Sequence, residues 1–336
     1  MKSLYVVFPE AGKVEVREET LGAPGSGEIL CVAEKSLVST GTETFCLQGV
    51  FDPGTNWLDW VQYPFRPGYS MAARIAAVGK GVKGMKEGDR IACWRSHDGA
   101  FIADPANVYP VPDGVSAEEA TWNCLATTTQ VAVRRAGHVL GETVGVVGMG
   151  QLGQLVVQYL LLSGARKVIA LDAVQSRLDM AKAHGATHVL NVNVKDARKP
   201  IEDLTDGKML DVVYDVTGHY SVLAHCIALV RRLGRVVLLG DTPTPTRQNL
   251  APGVVSNSVA ILGIHGTTTP DVASDFNPWT RGEVISLFFD YLMRGRMKVS
   301  DLVTDRYSPV DAPKVYDRLL KDRSSVMGIV FDWSKV

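Results

Sequence analysis

The sequence predicts an α/β chain in which a doubly wound six-stranded parallel sheet is joined to a β-rich, barrel-like domain. Three observations carry this. Val144, Gly145, Val146 and Val147 read as a buried strand that runs directly into Gly148-Met149-Gly150-Gln151-Leu152-Gly153, after which Leu152, Leu155, Val156, Tyr159 and Leu160 recur at helical spacing. From about Thr121 to Gly266, helix and strand signals alternate. Before Thr121, short strand patterns follow one another between Gly/Pro breaks with no intervening helix.

Taken in order, residues 4–7, 13–17, 28–35, 71–78, 89–94 and 100–102 read as strands, separated by Gly25-Ser26-Gly27, by residues 79–84 and by residues 110–114. Residues 48–67 interrupt this rhythm and carry Phe51, Trp57, Trp60, Tyr63 and Phe65. The expectation is a long irregular loop whose aromatics, Trp57 and Trp60 above all, wall a substrate pocket or pack on one another. Residues 127–137 read as a helix leading to the glycine motif. Beyond it come a strand at 167–171 ending at Asp172, a helix at 176–184 stopped by Gly185, and a strand at 189–191. A strand at 211–216, a helix at 220–233, and strands at 235–239 and 259–264 complete the six-stranded set. The remaining pieces, helices at 281–294 and 312–320 and strands at 302–307 and 327–331, are expected to return to the first domain. The expected division is 1–122 with 267–336 against 123–266.

The glycine motif has a physical reading. A turn between a parallel strand and a helix needs Gly148 for its bend, Gly150 so that backbone can approach a pyrophosphate, and Gly153 so that helix packs on strand. The first helical residues, Gln151 and Leu152, offer free N–H groups to the phosphates. Asp172 lies about 20 residues beyond the motif, where an acid accepts hydrogen bonds from ribose hydroxyls. Its charge would repel a 2′-phosphate, so the expected cofactor is NAD. The carboxyl ends of the later strands, at Thr217, Gly218, Leu239, Gly240, Ile264 and Gly266, complete the expected cofactor-binding set.

Composition narrows the class. The 336 residues allow two domains, and the formal net charge of −1 with no basic run gives no reason to expect a nucleic-acid partner. Apolar runs are too short to span a bilayer, and the first residues lack a leader pattern, so a cytoplasmic protein without a membrane partner is expected. Five scattered cysteines, none in C-x-x-C, argue against a disulfide framework and a four-cysteine zinc lobe.

The order of these features resembles the medium-chain dehydrogenase/reductase superfamily. The resemblance covers nearly the whole chain and rests on Gly68, Gly88-Asp89-Arg90, the helix bearing Thr128 and Ala132, the glycine motif, Asp172, and the turns at Thr217-Gly218 and Gly240. It implies a GroES-like catalytic domain, a Rossmann domain, and a homodimer or dimer-based oligomer joined along the edge strand at 259–264. It also implies a basic contact to the adenosine side from Arg177. Zinc-dependent members carry a C-G-S-D-like motif where this chain has Thr40-Gly41-Thr42-Glu43, and G-H-E where it has Gly68-Tyr69-Ser70. Only Cys124 matches a ligand position, so the resemblance implies a zinc-free member, similar in its Ser39-Thr40-Gly41-Thr42-Glu43 string to the bacteriochlorophyllide hydroxyethyl dehydrogenase branch. No metal is expected.

In a zinc-free site, hydrogen-bond donors must replace the metal at the reacting oxygen. The candidates are Tyr69 and Thr42, with Thr40 as another donor, Glu43 orienting them and His265 as an acid/base. The alternatives are that Tyr69 only fills the vacated metal site, that Cys124 is an apolar wall, and that His265 is a local hydrogen-bonding residue. His97, with no ligand spacing, reads as packing or surface. The expected function is a zinc-independent NAD(H)-dependent oxidoreductase acting on a small-molecule secondary alcohol or ketone: a sugar, polyol, cyclic alcohol or larger planar substrate. A quinone or enone reductase and a non-catalytic NAD-binding redox sensor are the competing readings.

Overall fold

The computed structural model describes residues 1–336. The chain forms two units, Met1–Cys124 with Ile285–Val336, and Leu125–Val284. Both changes of unit fall inside helices, whereas composition had placed them at 122/123 and 266/267.

In the first unit, β1 (Lys2–Val7) and β2 (Glu15–Thr20) form an antiparallel ribbon. The long strand β3 (Ile29–Val38) is followed by two short helices, α1 (Thr42–Gln48) and α2 (Asn56–Trp60). Strands β4 (Met71–Val78), β5 (Arg90–Cys93), β6 (Ala100–Ala103) and β7 (Val108–Pro110) follow, then α3 (Ala117–Ala120) and α4 (Asn123–Arg135). α3 opens on a capping box: Ser116 Oγ accepts from Glu119 N–H while the Glu119 carboxylate accepts from Ser116 N–H.

The second unit contains β8 (Thr143–Val147), α5 (Gln151–Leu162), β9 (Lys167–Asp172), α6 (Gln175–Ala183), β10 (His188–Asn191) and α7 (Arg198–Leu204). It continues with β11 (Leu210–Asp215), α8 (Val222–Leu229), β12 (Val230–Leu238) and β13 (Ala260–Gly263). All pairs are parallel in the order β10-β9-β8-β11-β12-β13. This is the doubly wound arrangement the alternating pattern predicted, with β10 and β13 at its edges. After α9 (Arg281–Met293), β14 (Val303–Tyr307), α10 (Ala312–Lys321) and β15 (Gly328–Asp332) return to the first unit. There the sheet order is β14-β15-β3-β4-β5-β7, with β6 on β3. β3 bends from β6, along Ile29–Val32, to β15, along Lys35–Val38, while keeping β4 on its other side, which curls the sheet toward a barrel. Phe8, Ile29, Val38, Met71, Tyr316 and Phe331 fill its core. No helix is long and apolar enough to cross a membrane.

Three expectations need correction. The helix expected at 220–233 ends at Leu229, and β12 starts at the next residue. The helical spacing of Leu223, Ile227 and Val230 had been extended across a strand residue. The register jumps from Leu210↔Val230 to Val212↔Arg235, so the residues between bulge outward, with Leu233 at φ +61° and exposed. The aromatic segment at 48–67 holds a helix rather than a continuous loop. Phe51, Trp57, Trp60 and Phe65 pack in series, with ring centroids 6.0, 6.0 and 5.3 Å apart. Trp57 lies in the core, packed on Phe45 and Phe51, while Trp60 is 44% exposed. Finally, α1 follows β3 directly, in the stretch before Thr121 where short strands with no intervening helix were expected.

Candidate functional site

The carboxyl edge of the parallel sheet gathers the expected cofactor residues of the second unit. Gly148 has φ +96°, and a Cβ there would lie 2.9 Å from Thr217 Cγ2. Gly150 is the N-cap of α5 and has nothing within 4 Å of where its Cβ would be, so an open approach exists at the helix N-terminus. A Cβ on Gly153 would stand 2.0 Å from the Gly148 carbonyl oxygen. A Cβ on Gly240 would lie 2.2 Å from the Gly218 nitrogen, and one on Gly266 would lie 2.3 Å from Thr128 Oγ1. These glycines let the strand ends close on one another. Leu239 N–H donates to the Asp215 carbonyl and Ile264 N–H to the Leu238 carbonyl, both at strand ends.

Asp172, the expected ribose acceptor, is held by backbone donors. Its Oδ2 accepts from Met149 N–H at 2.7 Å, and its Oδ1 accepts from Val174 N–H at 2.8 Å. The carboxylate therefore ties the glycine turn to the end of β9 and still has lone pairs for further donors. The Arg177 carbonyl accepts from the Gln154 amide, whose nitrogen also donates to the Met149 carbonyl, so α6 is anchored to the same turn.

Asp215 ends β11 fully buried, and its Oδ1 accepts from both the backbone N–H and the hydroxyl of Thr217. Burial pushes its carboxyl up from 3.8 to about 6, against those hydrogen bonds. A folded value above the unfolded one means that stability is complete below about 3.8 and falls as pH rises through about 6. Asp215→Asn keeps the acceptor and removes the charge. It is expected to raise stability at pH 7 by up to about 3 kcal/mol and to change little at pH 4, as read by urea melts at both. An equal gain at the two pH values would sink this account.

The first unit holds a polar cluster at the end of β3. Tyr69, partly buried, donates its hydroxyl to Ser39 Oγ at 2.7 Å, with Thr42 Oγ1 farther away at 3.5 Å. The close partner is thus Ser39, which the sequence reasoning did not single out, rather than Thr42. Burial pushes the Tyr69 hydroxyl well above its ordinary value of 10, so it stands protonated at neutral pH. The Tyr69 ring lies 6.4 Å from that of Trp94. The Thr40 carbonyl accepts from the Thr44 hydroxyl inside α1. Glu43, 1% exposed, accepts Ser39 N–H through Oε1 at 2.7 Å, while its Oε2 faces His97 Nε2 at 3.1 Å and accepts from the Tyr316 hydroxyl. His97 is fully buried, so of its two expected places only packing applies, and its bond to Glu43 carried no spacing signal. Tyr316 lies 273 residues from Glu43 in the chain, beyond the reach of any local pattern.

His265 is exposed at the end of β13. Its Nδ1 lies 2.7 Å from Thr267 Oγ1 and accepts from Thr267 N–H, so the ring caps the turn at Gly266–Thr268. The structure thus places it in a local hydrogen-bonding role.

The donor set does not fit a catalytic zinc ion, which needs three thiolate, imidazole or carboxylate ligands. No group of three or more His, Cys, Asp or Glu side chains could hold one. Cys124 is buried, with its thiol 2.8 Å from the Tyr69 carbonyl oxygen and 3.1 Å from Asn123 Oδ1. Ser70, where zinc-dependent relatives carry Glu, donates to the Thr121 carbonyl. Burial pushes the Cys31 thiol up to about 12 and those of Cys46 and Cys93 higher still, away from the thiolate form.

Comparison with known proteins agrees with this architecture. Residues 40–157 match the alcohol dehydrogenase GroES-like domain and residues 152–280 the zinc-binding dehydrogenase domain. Sorbitol dehydrogenase of Bacillus subtilis (strain 168) is 27% identical over 80% of this chain and 81% of its own. L-threonine 3-dehydrogenase of Pyrococcus furiosus is 26% identical over 93% and 92%. Among solved structures, a protein of Sinorhizobium meliloti 1021 described as a zinc-binding dehydrogenase and bound to NADP superposes with a TM-score of 0.81 at 18% identity, covering 99% of each chain. The chain belongs to the medium-chain dehydrogenase/reductase superfamily, a family of oxidoreductases.

Proposed function

We propose that this chain is a zinc-independent, NAD(H)-dependent oxidoreductase that interconverts a secondary alcohol and its ketone. The observation that carries the reading is the Tyr69 hydroxyl seated on Ser39 Oγ at 2.7 Å, at the position where the resemblance implies a metal ligand in zinc-dependent members. When bound, the nicotinamide supplies or takes the hydride. The glycine turn and the α5 N-terminus hold the pyrophosphate, and Asp172 sets the preference for NAD because its charge opposes a 2′-phosphate. The NADP bound by the Sinorhizobium protein makes that preference a point to measure.

In the reductive direction, Tyr69 donates its proton to the oxygen that gains charge. Ser39 and Thr42, hydroxyl donors and acceptors themselves, relay a proton from solvent back to it. In the oxidative direction the relay runs in reverse: Tyr69 takes the alcohol proton as its own passes through these hydroxyls to solvent. Polyols, sugars and cyclic secondary alcohols are the first substrates to try, with planar ketones next. The test is turnover of such a panel after dialysis against a chelator, with zinc measured in the same sample. Activity without zinc, and an affinity for NAD at least about tenfold above that for NADP (~1.4 kcal/mol), are expected. Activity that disappears with one bound zinc per chain, and returns with it, would overturn the proposal.

A further inference from the structure

We propose that His97 is a positioning residue which, with Glu43 and Tyr316, sets the geometry of the Tyr69–Ser39 hydrogen bond from both sides. This rests on Tyr69 being the proton donor of the reaction.

Glu43 Oε2, 3.1 Å from His97 Nε2, can only accept as a carboxylate, so Nε2 donates to it. The other ring nitrogen, Nδ1, lies 2.8 Å from Ser36 Oγ, which also accepts from Trp333 Nε1–H at 3.0 Å. The Glu43 carboxylate therefore takes three donors: His97 Nε2–H, the Tyr316 hydroxyl and Ser39 N–H. Removing any one of them takes a hydrogen bond from a buried acceptor.

The same imidazole also touches the Tyr69 side. Its own backbone N–H donates to the Pro67 carbonyl at 2.9 Å. A Cβ on Gly68, which has φ +91°, would lie 2.7 Å from the His97 ring, so the ring lies flush against the residue that precedes Tyr69. Phe331 closes the opposite approach edge-on, with centroids 4.9 Å apart. One residue thus fixes the backbone entering Tyr69 and, through Glu43, the backbone N–H of Ser39, whose hydroxyl accepts the Tyr69 hydrogen bond. Misplacement of a catalytic group by about 1 Å can cost 10²-fold in rate, so a buried clamp on both partners acts on turnover without touching substrate.

The experiment uses the full chain with 3-fluorotyrosine in place of its ten tyrosines. The Tyr69 fluorine line is assigned by its loss in Tyr69→Phe. His97→Leu removes the ring hydrogen bonds, His97→Gln restores an N–H near the Nε2 position, and Tyr316→Phe removes one donor to Glu43 and little volume. The Tyr69 line is expected to shift in His97→Leu and Tyr316→Phe and to return toward its native position in His97→Gln. Alongside this, kcat should fall about 10- to 100-fold in His97→Leu, with NADH affinity unchanged. If His97→Leu does not fold, Tyr316→Phe decides alone. A Tyr69 line that stays in place in every folded variant would overturn the proposal, as would equal losses in His97→Gln and His97→Leu. The fluorine shift reads the clamp without turnover. A moved line in a protein that turns over no alcohol therefore supports the clamp and refutes the assigned reaction, so the two failures are told apart.

Discussion

Tyr69→Phe is expected to lower kcat about 10²-fold or more while leaving NADH affinity as it was. The variant removes one oxygen and keeps the ring against Trp94. The loss therefore reports the hydroxyl and not the packing. Cofactor affinity should hold because the glycine turn and Asp172 belong to the other unit of the chain. The pH profile adds a second readout. Burial holds the Tyr69 hydroxyl well above 10, so the protonated donor persists across the neutral range, and ketone reduction should show no loss of activity between pH 6 and 9 assignable to this group. Oxidation requires the opposite proton movement and should quicken as pH rises. Full turnover in Tyr69→Phe would mean that the ring only occupies space. Ser39→Ala is the companion variant: it deprives Tyr69 of its 2.7 Å partner and should lower kcat less, because the phenol itself remains.

The sequence made the second unit far more legible than the first. Its central strands β8, β9 and β11 are buried on both faces, so their apolar runs are local signals that need no knowledge of partners. The failures have physical causes. Val230 sits on the apolar face of a helical pattern, yet the parallel pairing Leu210↔Val230 claims it as a strand residue. Helix α1 is hidden because no side-chain cap marks its start at Gly41. In the site, Tyr69, Thr42 and Glu43 were legible as departures from a known motif. Ser39 was legible only as part of the same string. His97 and Tyr316 were not, since what joins them to Glu43 is the folding of β3, α10 and β15 into one core, and no spacing within the chain records that. Trp57 was ambiguous from the outset: an aromatic run looks the same whether it lines a cavity or fills a core.

Gly153→Ala and Gly150→Ala are expected to separate folding from cofactor binding on a single turn. At Gly153 the new methyl would sit 2.0 Å from the Gly148 carbonyl oxygen and 3.0 Å from its carbonyl carbon. Those are backbone atoms, and Gly148 itself holds φ +96° against Thr217, so the turn has no cheap way to yield. Alanine gains up to about 1 kcal/mol in helix propensity over glycine, but overpacking of a tight contact costs about 1–3 kcal/mol, so the clash wins. Gly153→Ala should therefore lower Tm and weaken NADH binding together, because the Asp172–Met149 bond and the α5 N-terminus shift with the turn. At Gly150 the outcome is different. Its φ of −74° and ψ of −166° suit any residue, and nothing stands within 4 Å of the added methyl. The unliganded protein should melt as the native one does, yet the methyl projects into the approach to the helix N-terminus where the pyrophosphate is to lie. NADH affinity is expected to fall at least about tenfold, or ~1.4 kcal/mol. Calorimetric titration of NADH and thermal melts of the two variants give four numbers. Native affinity in Gly150→Ala would remove the phosphates from this turn. Native Tm in Gly153→Ala would mean that the turn adapts, and the stated role of its third glycine would fail with it.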